Sequence, residues 1–416
     1  MNLLVIAWRN IGRNRRRSLL SLSAVALAAL AITFLFAYLE GMKADIASNL
    51  INHYTGEVRI RHEKYEDFER FNPLHLRVQD ADRVIEILGS VEEVSAVSPR
   101  IAFSGAVFKD ERSYGLRGLG IDFVMERDYQ DLSHILFRGS LPDEVRVEGR
   151  RVPAAVGRGL ADRMDLEPGD SFTLLATTMS RGNNAMTFQI TGILNFPVGS
   201  LNGTTFMAPL PAVQRLLRMD GSVTEVLVKG HEGFQPSETA SSIAQALTAA
   251  PQREELIIQP WNEIESTYNW LETASVIYNF IALFFLILGS TVIINTVVMT
   301  VFERKREIGT LAALGMQQRE IIRLFFFEAA IMSFVGSLFG VLLGIGIVLP
   351  LSRTGIDLTN AMEGVSFEIS NVIYPELNLH STLLVLIYST FVASVASYIP
   401  VRGISKIAPV EALRAE

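Results

Sequence analysis

The sequence contains no cysteine, which excludes disulfides, thiol catalysis, thiolate-bound zinc and a lipidated N-terminal cysteine, and leaves the compartment open. It also lacks any G-x-x-x-x-G-K-[ST] run, so no phosphate loop of that type is encoded. Gly157-Arg158-Gly159 imitates such a loop, but turn geometry accounts for it. The histidines, His53, His62, His75, His134, His231 and His380, show no H-E-x-x-H or other ligand spacing and read as mostly surface residues. No Ser/His/Asp arrangement can be assembled. Neither a catalytic centre nor a metal site is expected, and no cofactor bound by this chain. Basic residues are in the minority too, with Lys+Arg 37 against Asp+Glu 44 and a net charge of -7, which argues against a nucleic-acid partner.

Apolar residues are what the sequence has in quantity. It is 49% hydrophobic over 416 residues, with a mean hydropathy of +0.29, which indicates an integral membrane protein with a large polar part. Uncharged runs cover residues 18–39, 273–302, 329–352 and 381–401, and each matches or exceeds the ~20 residues that cross a bilayer. The spacing predicts spans at 18–40, 271–302, 321–352 and 381–401. Arg9, Arg13, Arg15, Arg16 and Arg17 precede the first run, and short flanks rich in arginine stay in the cytoplasm. The first run exceeds the ~7 to 15 apolar residues of a signal peptide, so it is read as a retained anchor. Arg402 and Lys406 follow the fourth run and place both termini inside.

Residues 41–270 therefore lie outside and are predicted to be α+β. Short apolar or alternating runs at 58–60, 94–97, 102–108, 114–121, 223–228 and 256–258 read as strands, whereas 81–88 and 237–247 read as helices. The middle, 123–220, is β-rich, with a strand at 188–194 and a turn at Pro168-Gly169. Residues 40–52 and 261–272 are predicted as helical stalks, although an interfacial helix would look the same. The fold class is thus a membrane α-helical protein with four transmembrane helices and a large extracytoplasmic α+β domain.

Between the second and third spans lies a short charged elbow, residues 303–320. Ile308, Leu311, Ala312 and Gly315 fall at i, i+3, i+4 and i+7, lining one face of a short helix that Gly315 can end. The full run Glu303, Arg304, Arg306, Glu307, Ile308, Gly309, Leu311, Ala313, Leu314 and Gly315 resembles the E-R-x-R-E-I-G-x-L-x-A-L-G segment of MacB/FtsX-type ABC transporter permeases. That family includes the lipoprotein-releasing permeases LolC and LolE. The segment A-W-R-N-I at 7–11, G-R-G-L-A at 157–161 and the ending K-I-A-P-V-E-A-L-R at 406–414 resemble the same family. Val401-Arg402-Gly403 departs from the relatives' pattern in the tail.

The resemblance implies a porter-like outer domain (41–122 and 221–270) interrupted by a sabre-like β-rich subdomain (123–220), an outer loop at 353–380 and a cytoplasmic tail at 402–416. It implies that the elbow sits in a cleft of a partner ABC ATPase dimer, which binds ATP and magnesium while this chain binds neither. It further implies a second permease, identical or related, membrane lipids, and a lipoprotein or periplasmic partner. The expected function is mechanotransmission in a bacterial inner membrane: ATP hydrolysis on another polypeptide moves the outer domain, in the first reading to release lipoproteins. The alternatives are MacB-like efflux of small amphiphiles or peptides and FtsX-like regulation of a cell-wall hydrolase.

Gly336, Gly340 and Gly344 recur every fourth residue in the third span, as do Ser389, Ala393 and Ser397 in the fourth. Such stripes let helices approach closely in lipid. They are expected to meet each other within the subunit, a second permease being the alternative. Glu328 is a carboxylate inside a span, and it is read as paired with Arg323 or interfacial rather than as a proton relay.

Overall fold

The computed structural model describes residues 15–109, 112–142, 151–249, 253–264, 302–358 and 370–404, with scattered helical positions between 273 and 299. Arg9, Arg13, most of the expected second span and the tail from 405 lie outside the described residues. The chain divides into two units, one formed by Met1–Ala44, Thr273–Asp357 and Val372–Glu416, the other by Asp45–Glu272 and Leu358–Asn371.

Among the described residues, three helices are long and apolar enough to cross a membrane. They are Arg15–Leu50, Gln318–Thr354 and Leu379–Ile404. At about 1.5 Å per residue, the 36 residues of the first helix would extend about 54 Å, well beyond a hydrocarbon core of about 30 Å. The helical stalk expected at 40–52 is thus continuous with the first span over most of its length.

These three helices pack through small residues. A Cβ at Gly336 would press on Leu22 O and Val25, at Gly340 it would strike the backbone of Ala26, and at Gly344 it would meet Thr33. The glycine stripe is therefore the seat of the first helix. The expected pairing with the stripe at Ser389 and Ala393 is corrected here: Ala393 is buried against Val25 and Ala28, also on the first helix. Of that stripe, Ser389 meets the helix Gln318–Thr354, where Ser333 Oγ donates to Ser389 O at 2.9 Å. The Ser397 side chain lies outside the described residues. Periodicity identifies a face that tolerates close approach, but not which neighbour comes close.

The outer unit is built on one sheet of ten strands: β1 (Val58–His62), β2 (Val94–Lys109), β3 (Arg112–Ile121), β4 (Leu136–Gly139), β5 (Val152–Gly157), β6 (Ser171–Thr177), β7 (Asn183–Leu194), β8 (Thr205–Pro209), β9 (Glu225–Gly230) and β10 (Leu256–Pro260). Their order is β10-β1-β9-β2-β3-β8-β5-β7-β4, with β6 paired to both β2 and β7. The flanking pieces supply β10 to β3 and the middle piece supplies the rest. The two halves join twice: β3 runs parallel to β8, from Arg117 opposite Thr205 to Ile121 opposite Pro209, and β2 pairs antiparallel with β6, from Gly105 opposite Ala176 to Val107 opposite Leu174. One core runs beneath both, holding Ile60, Ile101 and Phe103 together with Phe188, Phe206 and Leu216. The β-rich middle is thus stitched into the sheet of its flanks.

The helices Ala81–Leu88 and Pro236–Ala246 fall where periodicity placed them. Gly157-Arg158-Gly159 is the junction at which β5 turns into the helix Arg158–Met164.

Candidate functional site

The elbow forms the helix Lys305–Ala313. Gly315, at φ 89°, takes the left-handed conformation that ends it, with Gly315 N donating to Ala312 O at 3.1 Å. Gln317 then opens the helix Gln318–Thr354 through a capping box with Glu320. Between these caps the elbow is fastened to its own membrane unit. Ile308, 1% exposed, packs with Ile321, Phe325 and Val401.

Arg304 is the polar anchor. It is buried and donates from Nη1 to Glu328, and from Nε to Glu307 at 2.8 Å. Its guanidinium lies 4.8 Å from the centre of the Phe325 ring. The intramembrane carboxylate is therefore paired, but with Arg304 and not with the expected Arg323, which is exposed. The chain reverses at the elbow and brings back a residue 24 positions upstream; sequence proximity favours a neighbour on the same helix and cannot register such a return.

This packing sorts the elbow into two faces. Ile308 and Gly309 are buried and Leu311 is half-buried, whereas Glu303, Arg306, Thr310, Ala313, Leu314 and Gly315 are exposed. Leu314, at 80% exposed, is the largest apolar side chain on the open face.

In the outer unit, the first helix ends in a π turn, Ile51–Thr55, whose last carbonyls need partners. Tyr129 Oη donates to Ile51 O at 3.0 Å, while Arg100 reaches Asn52 O and His53 O, both at 3.4 Å. Arg100 is 2% exposed and donates to Glu126 Oε1 at 2.7 Å and to Ser98 Oγ at 3.0 Å. Burial opposes its charge most strongly, but Glu126, Tyr129 and Glu225 together outweigh that and hold the Arg100 pKa above the usual arginine range. A cation at a helix C-terminus also complements the helix dipole. Nearby, burial and the charges of Arg100 and Arg117 push His53 down to about 4.

A second fastening holds the same helix. Asp45 accepts from Ser370 N at 2.8 Å and from Ser370 Oγ at 2.6 Å, and Asn49 Nδ2 donates to Ser370 Oγ at 3.0 Å. Asn371 N donates to Pro197 O at 3.1 Å. The segment between the helices Gln318–Thr354 and Leu379–Ile404, expected from sequence as an outer loop, thus ties into this unit through Ser370 and Asn371. Sequence reasoning missed Arg100, Glu126, Asp45 and Ser370. The one signal available was an arginine set between Val97 and Phe103 in an apolar strand run.

Residues 18–248 match the model of the MacB-like periplasmic core domain, and residues 279–409 match that of the FtsX-like permease C-terminal region. The chain belongs to the MacB/FtsX-like permeases. It is 22% identical over 420 residues to the macrolide export ATP-binding/permease protein MacB of Campylobacter jejuni, covering 99% of this chain and 61% of that protein. It is 22% identical over 425 residues to the lipoprotein-releasing system transmembrane protein LolC of Xylella fastidiosa, covering 97% and 96%. The crystal structure of the periplasmic region of MacB from Actinobacillus actinomycetemcomitans aligns with 54% of this chain and 97% of that one, at 15% identity and a TM-score of 0.38. The permease thus spans about three fifths of the length of the MacB relatives, 61% in the Campylobacter case.

Proposed function

We propose that this permease is the membrane subunit of an ABC transporter working by mechanotransmission in a bacterial inner membrane, with both termini cytoplasmic and four spans. An ATPase dimer grips the open face of the elbow. Arg304, Glu328 and the Ile308 cluster then make the elbow move as one body with the third span. The unbroken helix Arg15–Leu50 carries motion to the outer domain through the Arg100 and Asp45 fastenings. The carrying observation is the division of the elbow: one face is bolted to the chain's own helix and the other, with Leu314 and Arg306, is left open.

The cargo we assign is lipoprotein, released from the membrane, with the nearly full-length likeness to LolC in support. The likeness to MacB favours a second reading, efflux of small amphiphiles or peptides. An FtsX-like role in regulating a hydrolase is the third. The partner permease, identical or related, completes the assembly.

Co-purification of the ATPase with a Leu314→Asp/Arg306→Glu variant tests the coupling. Loss of ATPase with normal membrane insertion is expected, and full retention would overturn the assigned role. Cross-linking the outer domain in cells distinguishes the cargoes by what is trapped.

A further inference from the structure

A cavity of about 750 Å³ opens in the outer unit between the turn Glu66–Phe71 and the loop that joins β6 to β7. Ligand sites for small molecules measure roughly 300–1,000 Å³ and are mostly apolar with a few placed polar groups. We propose that this cavity binds a small amphiphile with an apolar body and one anionic group.

The first observation is how its wall is made. Glu66–Phe71 is a 3-10 helix, in which residues three apart share a face. Glu66 and Glu69 face one way and meet the buried Arg61, at 3.5 and 3.1 Å, with Arg59 3.6 Å from Glu69. Phe68 and Phe71 are also three apart and therefore fall on another face, where they stand 49% and 76% exposed. The ion pairs thus hold two phenylalanines out of the core, at a hydrophobic cost that needs a use.

The second observation is the floor and rim. Phe103, 1% exposed, lines the cavity and lies over Gly118, its partner on β3, where any Cβ would collide with its ring. Asn72 (φ 44°) and Arg181 (φ 61°) line the cavity from opposite walls, and both adopt the left-handed conformation that is uncommon outside glycine. Such residues gather at ligand clamps. Asn72 is fixed by donating to Ser104 Oγ at 2.8 Å. Arg181 is exposed and carries no ion pair among the described residues, and His75 is the other ionisable group in the lining. A cationic rim over an aromatic floor selects an anionic head and an apolar body.

The test uses the full chain in neutral detergent, without nucleotide or ATPase, so its failure leaves the coupling reading untouched. Two photoreactive probes are compared, an aryl-azide dodecanoate and the matching neutral aryl-azide dodecanol, with adducts located by peptide mass spectrometry. The carboxylate probe is expected to label residues 66–75 and 177–183 saturably, in competition with unmodified dodecanoate or with lysophosphatidylglycerol. Competition by dodecanoate alone assigns a free amphiphile, and competition by the lysolipid assigns a lipid source. Arg181→Ala should weaken the carboxylate probe about tenfold and spare the neutral one, while Phe71→Ser should weaken both. Both side chains are exposed, so neither change threatens the fold. Labelling confined to the spans, or indifferent to both substitutions, would overturn the proposal.

Discussion

Arg100 and Glu126 form an ion pair at 2.7 Å with both side chains out of water, and the arginine spends its remaining donors on the end of the first helix and on Ser98. The pair is a joint. Its carboxylate orients a cation whose reach covers two helix carbonyls, so the sheet holds the helix end through charge.

Removing one half of that joint should cost far more than removing both. Arg100→Met leaves Glu126, 1% exposed, without its cation, and breaking a buried pair this way costs about 3–5 kcal/mol. Arg100→Met/Glu126→Leu should recover much of the loss in thermal unfolding. Hydrogen exchange at residues 51–55 should stay accelerated in the double variant, because the carbonyl donor is still missing.

Acid should weaken the same region. His53 binds its proton with a pKa of about 4 when folded against 6.5 normally, so between those values the unfolded chain holds more protons. Stability therefore falls as pH drops from about 6.5 toward about 4. A shift of that size corresponds to at most about 3 kcal/mol. His53→Phe should flatten this dependence when denaturant midpoints are compared at pH 7 and pH 5.

The elbow gives a contrast between its faces. Ile308→Asp buries a lone charge against Phe325 and Val401 and should destabilise the elbow itself, whereas the exposed Leu314→Asp should leave its fold intact. Limited proteolysis at the turn following Gly315 reads the difference. Arg304→Met should behave like Ile308→Asp, and Arg304→Met/Glu328→Leu should be milder than the single change.

The absence of cysteine makes the helix seat directly testable. A Cβ at Gly336 would lie 3.2 Å from the Val25 Cβ, close to the separation a disulfide needs, about 3.5–4.5 Å between Cβ atoms. A Val25→Cys/Gly336→Cys pair should oxidise readily. Adding Gly340→Leu, which drives a side chain into the Ala26 backbone, should slow that oxidation severalfold.

Much of this architecture was written locally. Uncharged runs fall inside the three long apolar helices, but the first, expected to end at 40, continues to Leu50, because a bilayer sets the length a helix needs and not where it stops. The elbow helix, its glycine end and the helices at 81–88 and 237–247 followed from spacing, since a helix returns its side chains to one face every three or four residues. Alternation marked most of the strands of the outer unit for the same reason.

Partnership was not written locally. Nothing near Glu328 names Arg304, nothing near Gly340 names Ala26, and no pattern in β3 says that β8 will lie beside it. Each of these meetings joins segments far apart along the chain, and they form only when helix reversals and strand registers have set distant segments at one depth. A periodicity states what kind of neighbour a face accepts; the packed chain chooses the neighbour.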